Sequence, residues 1–159
     1  MHILDLQDYI PEGQRHLIDL KEILFQEMIL RELDFRNWVK EKDWSEYKDG
    51  FVAIHCSTDA IIPQWAYMII ASKLEGIASH FVIGNQDSLE KDIFRKSLFQ
   101  NLKGDNFKDA PIVVKGCAEK QVPTEAYLWI TEILKPFVKS IMYGEPCSTV
   151  PVYNAPKKM

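Results

Sequence analysis

The chain has 159 residues, of which 47% are hydrophobic, 26% charged and 11% aromatic. This composition is typical of a soluble globular protein, and the length predicts a single domain. The net charge of −4 argues against a general nucleic-acid-binding protein, which usually presents a basic surface. No apolar run reaches the roughly 18 residues of a transmembrane helix, and the N-terminus lacks the pattern of a secretory leader. We therefore expect a cytoplasmic protein with neither nucleic acid nor membrane as a partner.

Residues 1–50 are predicted to form an α/β appendage. Two short apolar stretches, His2–Leu6 and His16–Leu20, favour short strands or an irregular hairpin. Residues 21–42 carry the apolar bulk of a helix. One continuous helix and two short helices broken near residues 28–31 fit this segment equally well.

After residue 50, short apolar runs alternate with segments that have a helical pattern. Such runs are typical of strands buried on both faces of a parallel sheet. The alternation predicts βαβ units, and hence an α/β fold with a mostly parallel sheet of about four strands. The predicted domain consists of the appendage at 1–50, the βαβ core at 51–147 and an extended tail at 148–159. The predicted strands are 51–56, 80–83, 111–115 and 140–143, and the predicted helices are 63–76, 87–102 and 123–138.

The core contains an apparent internal repeat. Residues 51–84 and 111–144 align without a gap, sixty positions apart. Any two βαβ units share apolar strands and a turn with glycine, so part of this similarity needs no common origin. The pattern Pro-x-x-Ala-Tyr in both copies is more specific. The six identical pairs are Pro63 and Pro123, Ala66 and Ala126, Tyr67 and Tyr127, Ile70 and Ile130, Leu74 and Leu134, and Gly84 and Gly144.

The three cysteines lie at or just beyond predicted strand ends. In open α/β sheets ligands bind outside the carboxyl ends of the strands, so the three thiols are expected at one edge of the predicted sheet. Three thiolates and an imidazole would favour zinc or iron in a tetrahedral site. The predicted ligands are Cys56, Cys117 and Cys147, with His55 or Glu145 completing the shell.

The donor that completes this site is left open by the sequence. Neighbouring residues of a strand point to opposite faces, so His55 and Cys56 converge only if the strand ends between them. Asp59 and Glu119 are further carboxylate candidates. The close Cys-x-x-Cys pairing of common structural zinc sites is not present.

Two other interpretations of the cysteines stay open. Cysteine is often buried and then packs as a small hydrophobic residue. Cys56 and Cys117 each precede a predicted helix, and the N-terminus of a helix favours a thiolate, so either is a candidate nucleophile. Hydroxyl and backbone N–H groups near two strand ends could also hold an anion. These candidate anion-binding residues are Ser57, Thr58, Ser148 and Thr149.

Several segments spread over nearly the whole chain are distinctive. They are His55-Cys56-Ser57, Trp65-Ala66-Tyr67-Met68, Lys115-Gly116-Cys117 and the stretch 140–152. Together with Tyr9-Ile10-Pro11-Glu12-Gly13 and Leu30-Arg31-Glu32, they resemble the bacterial domain-of-unknown-function family 2480. The family name confers no activity. The resemblance implies genes that often neighbour the sulfur-mobilisation system, and hence a role near iron, sulfur or thiol chemistry.

The leading hypothesis is an accessory factor that binds zinc, iron or an iron–sulfur precursor at the edge of the sheet that carries the cysteines. Iron–sulfur assembly proteins are then the expected partners. The first alternative is a thiol-dependent enzyme or persulfide carrier that uses Cys56 or Cys117. The second alternative is a non-catalytic protein-interaction module in which the cysteines only pack.

Overall fold

The computed structural model of the protein describes residues 1–116 and 119–159. These residues form an α/β fold with mostly parallel strands, which confirms the predicted fold class. The elements in chain order are β1 (His2–Leu4), β2 (Arg15–Asp19), α1 (Glu32–Glu41), β3 (Phe51–His55), α2 (Gln64–Leu74), β4 (His80–Ile83), α3 (Gln86–Asn101), β5 (Pro111–Val114), α4 (Ala126–Leu134), β6 (Ser140–Glu145) and β7 (Ser148–Asn154).

The strands are divided between two sheets, whereas the sequence analysis placed them in one. One sheet has the order β1-β5-β6-β7, with only the last pair antiparallel, and the other has the order β2-β3-β4, all parallel. An apolar run shows where a strand lies but not which strand it pairs with. The chain divides accordingly into two compact units. Unit 1 comprises Met1–Pro11 and Lys91–Met159, and unit 2 comprises Glu12–Glu90.

The two apolar stretches near the N-terminus form strands, but these strands do not pair with each other as a hairpin. β1 pairs in parallel with β5 in unit 1, and β2 pairs in parallel with β3 in unit 2. The N-terminal segment therefore supplies one strand to each sheet. Residues 148–154 are extended as predicted, and they form β7 against β6.

Of the two alternatives for residues 21–42, the structure has the one with two separate helical elements. Leu20–Ile23 forms a 3-10 helix, and α1 begins only at Glu32. Between them, Gln26 and Glu27 have φ angles of 51° and 60°, which no residue of a right-handed helix adopts. No helix among the described residues has both the length and the apolar composition needed to span a bilayer.

The cores of the two units are built from equivalent residues. On α2 and on α4, three apolar side chains spaced four residues apart lie on one face of the helix, where this spacing brings them into line. All are at most 1% exposed and pack within the core of their own unit. The two sets are Ala66, Ile70 and Leu74 in unit 2, and Ala126, Ile130 and Leu134 in unit 1.

The first strands of the two units are also equivalent, fourteen positions apart. The sequence His-Ile-Leu-Asp-Leu at 2–6 corresponds to His-Leu-Ile-Asp-Leu at 16–20. Asp5 and Asp19 each accept a hydrogen bond at 3.0 Å from the N–H two residues later, which begins a short 3-10 helix. The internal repeat thus extends beyond the βαβ core, and each unit contains one copy, to which unit 1 adds β7.

Candidate functional site

His55 is the last residue of β3 in unit 2, and Cys56 follows it directly. Val52 and Ile54 point into the core that α1 and α2 cover, and Cys56 packs against that same core. His55 lies on the opposite face, where its register partner on β2 is Asp19. Because side chains alternate along a strand, the imidazole and the thiol face away from each other. His55 and Cys56 therefore do not converge, as two ligands of one metal ion would have to.

Cys56 lies at the edge of the core, beside a hydroxyl group. Its Sγ is 3.2 Å from Oγ1 of Thr58, and the cysteine is only partly buried. Tyr67, on the second turn of α2, packs against the same core. Burial raises the pKa of Tyr67, and the negative charge of the Cys56 thiolate raises it further. A thiol and a hydroxyl thus meet at the carboxyl end of β3, and the charge of the thiolate acts on the phenol of Tyr67.

Asp19 lies at the end of β2, on the face of the sheet opposite Cys56. Its Oδ1 accepts hydrogen bonds from the backbone N–H groups of Lys21 and Ser57, both at 3.0 Å. Burial alone would raise the pKa of Asp19, but the hydrogen bonds from Ser57 and Lys21 and the nearby His55 outweigh it and lower the pKa. Asp19 therefore fastens the loop after β3 to the end of β2.

His55 completes this arrangement as the partner of Asp19. Its Nε2 is 3.9 Å from Oδ2 of Asp19, which is too long for a hydrogen bond but short enough for an ion pair with a protonated imidazole. Nε2 is buried and has no hydrogen-bond partner in the described part of the chain. Next to this pair, a cleft of about 510 Å³ is lined by Asp19, Lys21, Glu27 and Ser57 among others.

At the equivalent strand end in unit 1, a side chain would displace the ring of Tyr143. Gly116 corresponds to Cys56, and a Cβ there would lie 2.9 Å from Cζ of Tyr143. The Tyr143 hydroxyl donates a long hydrogen bond of 3.5 Å to the carbonyl of Gly116. The aromatic ring thus covers, in unit 1, the position that the thiol occupies in unit 2.

The structure describes only one of the other two predicted cysteine ligands. Cys117 lies outside the described residues. Cys147 is exposed, in the turn between Glu145 at the end of β6 and Ser148 at the start of β7. Cys147 is therefore followed by an antiparallel strand, not by a helix.

The expectation that all three thiols lie at one edge of one sheet is wrong, because Cys56 and Cys147 follow strands of different sheets. Within residues 1–116 and 119–159, no three His, Cys, Asp or Glu side chains form a group that could hold a metal ion. Asp59 and Glu119 are exposed. Zinc or iron binding stays a prediction from the sequence, and its test must include Cys117.

The predicted anion-binding residues fall in two places and are used in part by the protein itself. The N–H of Ser57 donates to Asp19, and the hydroxyl of Thr58 contacts Cys56. Ser148 and Thr149 belong to β7, and the Thr149 hydroxyl contacts Sδ of Met142 at 3.6 Å. Anion binding by these groups stays a prediction.

Two residues of the site, Asp19 and Tyr67, were not identified as functional from the sequence. Tyr67 was visible only as part of the repeated Pro-x-x-Ala-Tyr pattern. The signal for Asp19 was the repeat of the His-x-x-Asp-Leu pattern at 2–6 and 16–20, which places an aspartate at the end of each first strand.

The family model described as "Protein of unknown function (DUF2480)" matches residues 1–155 of the chain. The chain belongs to this family. This finding confirms the resemblance on which part of the sequence analysis depended. No curated protein and no solved structure matches the chain.

Proposed function

We propose that this DUF2480 protein acts through a reactive thiol, Cys56, as a thiol-dependent enzyme or a persulfide carrier. Both activities use the same first step, in which a thiolate attacks an electrophilic atom. In persulfide transfer, that atom is the outer sulfur of a donor persulfide, and the donor leaves as a thiol. The proposal concerns unit 2 alone.

The observation that carries the proposal is the 3.2 Å contact between Sγ of Cys56 and the Thr58 hydroxyl at the carboxyl end of β3. With the thiol ionised, Thr58 is the donor and stabilises the charge on sulfur. Cys56 is partly exposed, so a reagent can reach it, and Tyr67 provides a second hydroxyl nearby. A cysteine that only packed would need neither group.

The test is the rate of alkylation of each cysteine by iodoacetamide at pH 7, resolved by peptide mass spectrometry. Cys147 is the internal reference, because it is an exposed thiol in a turn. We expect Thr58→Val to slow the alkylation of Cys56 by about three- to tenfold, which corresponds to one hydrogen bond of about 0.5–1.5 kcal/mol. Thr149→Val, which removes a hydroxyl from unit 1, is the matched control. An unreactive Cys56, or one that is indifferent to Thr58→Val, would contradict the proposal.

Binding of zinc, iron or an iron–sulfur precursor is the second proposal, and it depends on the family and the cysteine positions in the sequence. It predicts near-stoichiometric metal in protein purified without oxygen or an affinity tag, and acid-labile sulfide if a cluster is handled. The metal should be lost when Cys56, Cys117 and Cys147 are all replaced by serine. Metal-free protein whose folding is unchanged by the three replacements would count against metal binding and leave the thiol proposal standing.

A further inference from the structure

A hydrogen bond at the end of β3 connects two residues that are 38 positions apart in the chain. The backbone N–H of Ser57 donates to Oδ1 of Asp19 at 3.0 Å. Asp19 and His55 are the last paired residues of β2 and β3. The side chain of Asp19 therefore continues the link between the two strands after their ladder has ended.

Ser57 begins a loop that has little other support. Within the part of the chain that the structure describes, none of the N–H groups of residues 57–62 donates to a backbone carbonyl. A loop without such hydrogen bonds samples many conformations, so an anchor at its first residue restricts the residues that follow. Asp19 provides that anchor.

Ser57 also lies between the two residues whose side chains meet. Sγ of Cys56 is 3.2 Å from Oγ1 of Thr58, and this contact spans Ser57. The backbone torsions of Ser57 set the direction in which the side chain of Thr58 leaves the loop. A displacement of Ser57 would therefore separate the hydroxyl from the sulfur, although Asp19 lies on the face of the sheet opposite Cys56.

We propose that Asp19 is a positioning residue for the thiol of Cys56. Its Oδ1 holds Ser57 in the orientation that directs the Thr58 hydroxyl toward Sγ, where the hydroxyl stabilises the thiolate. This inference rests on the function proposed above, because it concerns the same thiol. The role requires an acceptor oxygen at one place, and the negative charge of Asp19 is not needed for it.

Two substitutions separate this role from the other hydrogen bond of Asp19. Oδ1 also accepts from the N–H of Lys21, a local bond that begins a 3-10 helix. Asparagine keeps an acceptor oxygen for both bonds. Serine can still accept from the N–H two residues later, but its shorter side chain does not reach Ser57. Asp19→Ser therefore removes the link to the loop and keeps the local bond.

Unit 1 provides a matched control for this substitution. Asp5 is the equivalent of Asp19, and it accepts a hydrogen bond from the N–H of Gln7 at 3.0 Å. Asp5→Ser makes the same change directly after β1, in the unit that does not contain Cys56. We expect it to leave the reactivity of Cys56 unchanged.

The experiment measures the rate at which iodoacetamide alkylates Cys56 in the full chain, between pH 6 and pH 10. At pH 7 we expect Asp19→Ser to slow the reaction by about three- to tenfold, as Thr58→Val does, because the same hydrogen bond to sulfur is lost. Asp19→Asn should stay within about twofold of the wild type, since the acceptor oxygen is kept. The difference should disappear near roughly pH 10, where ordinary thiols are ionised without such help.

A double substitution tests whether Asp19 acts through Thr58. In a Thr58→Val background, Asp19→Ser should change the rate by less than about twofold, because residues that act through one contact are not additive. A further slowing of threefold or more in that background would show that Asp19 acts by another route, and the inference would be wrong.

The remaining outcomes separate this inference from the proposed function. Unchanged alkylation in Asp19→Ser, or faster alkylation at every pH because a loosened loop exposes the thiol, overturns the role of Asp19 and leaves the thiol proposal standing. An unreactive Cys56 in the wild type overturns both. Should Asp19→Ser fail to fold, Asp19→Glu keeps the carboxylate but displaces it by one methylene, and we expect a similar slowing.

Discussion

The strand β3 of unit 2 and its repeat counterpart β5 of unit 1 are followed by different functional groups. β3 of unit 2 ends in His55 and Cys56, and the equivalent positions after β5 of unit 1 are Lys115 and Gly116. Each basic residue lies near the aspartate of the first strand, His55 near Asp19 at 3.9 Å and Lys115 near Asp5 at 3.6 Å.

This comparison indicates that the two units share their backbone framework and differ in the side chains at the strand ends. Asp49 and Asp109, sixty positions apart, both have left-handed backbones, with φ angles of 58° and 57°. Their N–H groups donate to Ile77 and Phe137, which are also sixty positions apart. The two units thus share the conformation and hydrogen bonds of this backbone turn. At the strand ends they differ, because the residue of unit 1 equivalent to Cys56 is Gly116, which has no side chain. We therefore expect scaffold variants to act alike in both units and site variants to act in one.

The largest effects are expected from the equivalent core residues Ile70 and Ile130, which are fully buried in unit 2 and unit 1. Replacing either with alanine removes buried apolar volume and leaves a cavity, so each variant should lose about 2–5 kcal/mol of unfolding free energy. Chemical denaturation measures the loss, and hydrogen exchange shows which unit is weakened. A full loss in one variant and none in the other would break the equivalence of the two cores.

A smaller effect is expected where the units differ in packing. Gly104, in the 3-10 helix before β5, corresponds to Trp44 before β3. A Cβ on Gly104 would clash with the backbone oxygen of Ile133, so the backbone of α4 would have to move. We expect Gly104→Ala to cost about 1–3 kcal/mol, as overpacking usually does. Gly76→Ala is not a suitable control because of its positive φ, whereas Ser72→Ala on the exposed side of α2 should be close to neutral.

Acid should selectively weaken the Asp19 anchor. The pKa of Asp19 is lowered in the folded protein, so its carboxylate contributes stability that is present above the unfolded value near 3.8 and is lost as the pH falls further. Asp19→Asn should therefore be less stable than the wild type at pH 7, and the difference should shrink between pH 4 and pH 2. Urea denaturation across this range measures it, and a difference that is independent of pH would contradict the role of the charge.

The smallest effect concerns the electrostatic interaction between Cys56 and Tyr67. The thiolate contributes to the raised pKa of Tyr67, so Cys56→Ser should lower the pKa of one tyrosine toward 10.0. Ultraviolet titration of the phenolate measures the change. In a Tyr67→Phe background the same cysteine substitution should have no effect, and a shift that persists there would assign the contact to another tyrosine.

The sequence allowed more of the fold to be predicted than of the site. The strand over 80–83 was predicted with its observed bounds, and α3 was predicted within one residue at each end. Apolar periodicity and turn residues are local signals, so these elements could be placed without tertiary information. The position of Cys56 at a strand end was also predictable. Its contact with Thr58 and its electrostatic interaction with Tyr67 were not, because they depend on how the loop after β3 returns to α2.

The sequence by itself determined the α/β class, the positions of most regular elements between residues 51 and 143, and the repeat of sixty residues, because each depends on local patterns along the chain. Only the tertiary structure decided that the strands form two sheets, because strand pairing depends on residues that are far apart in sequence. That pairing joins β1 to β5 and β2 to β3. It also places Cys56 and Cys147 after strands of different sheets, which the spacing of the cysteines alone could not show.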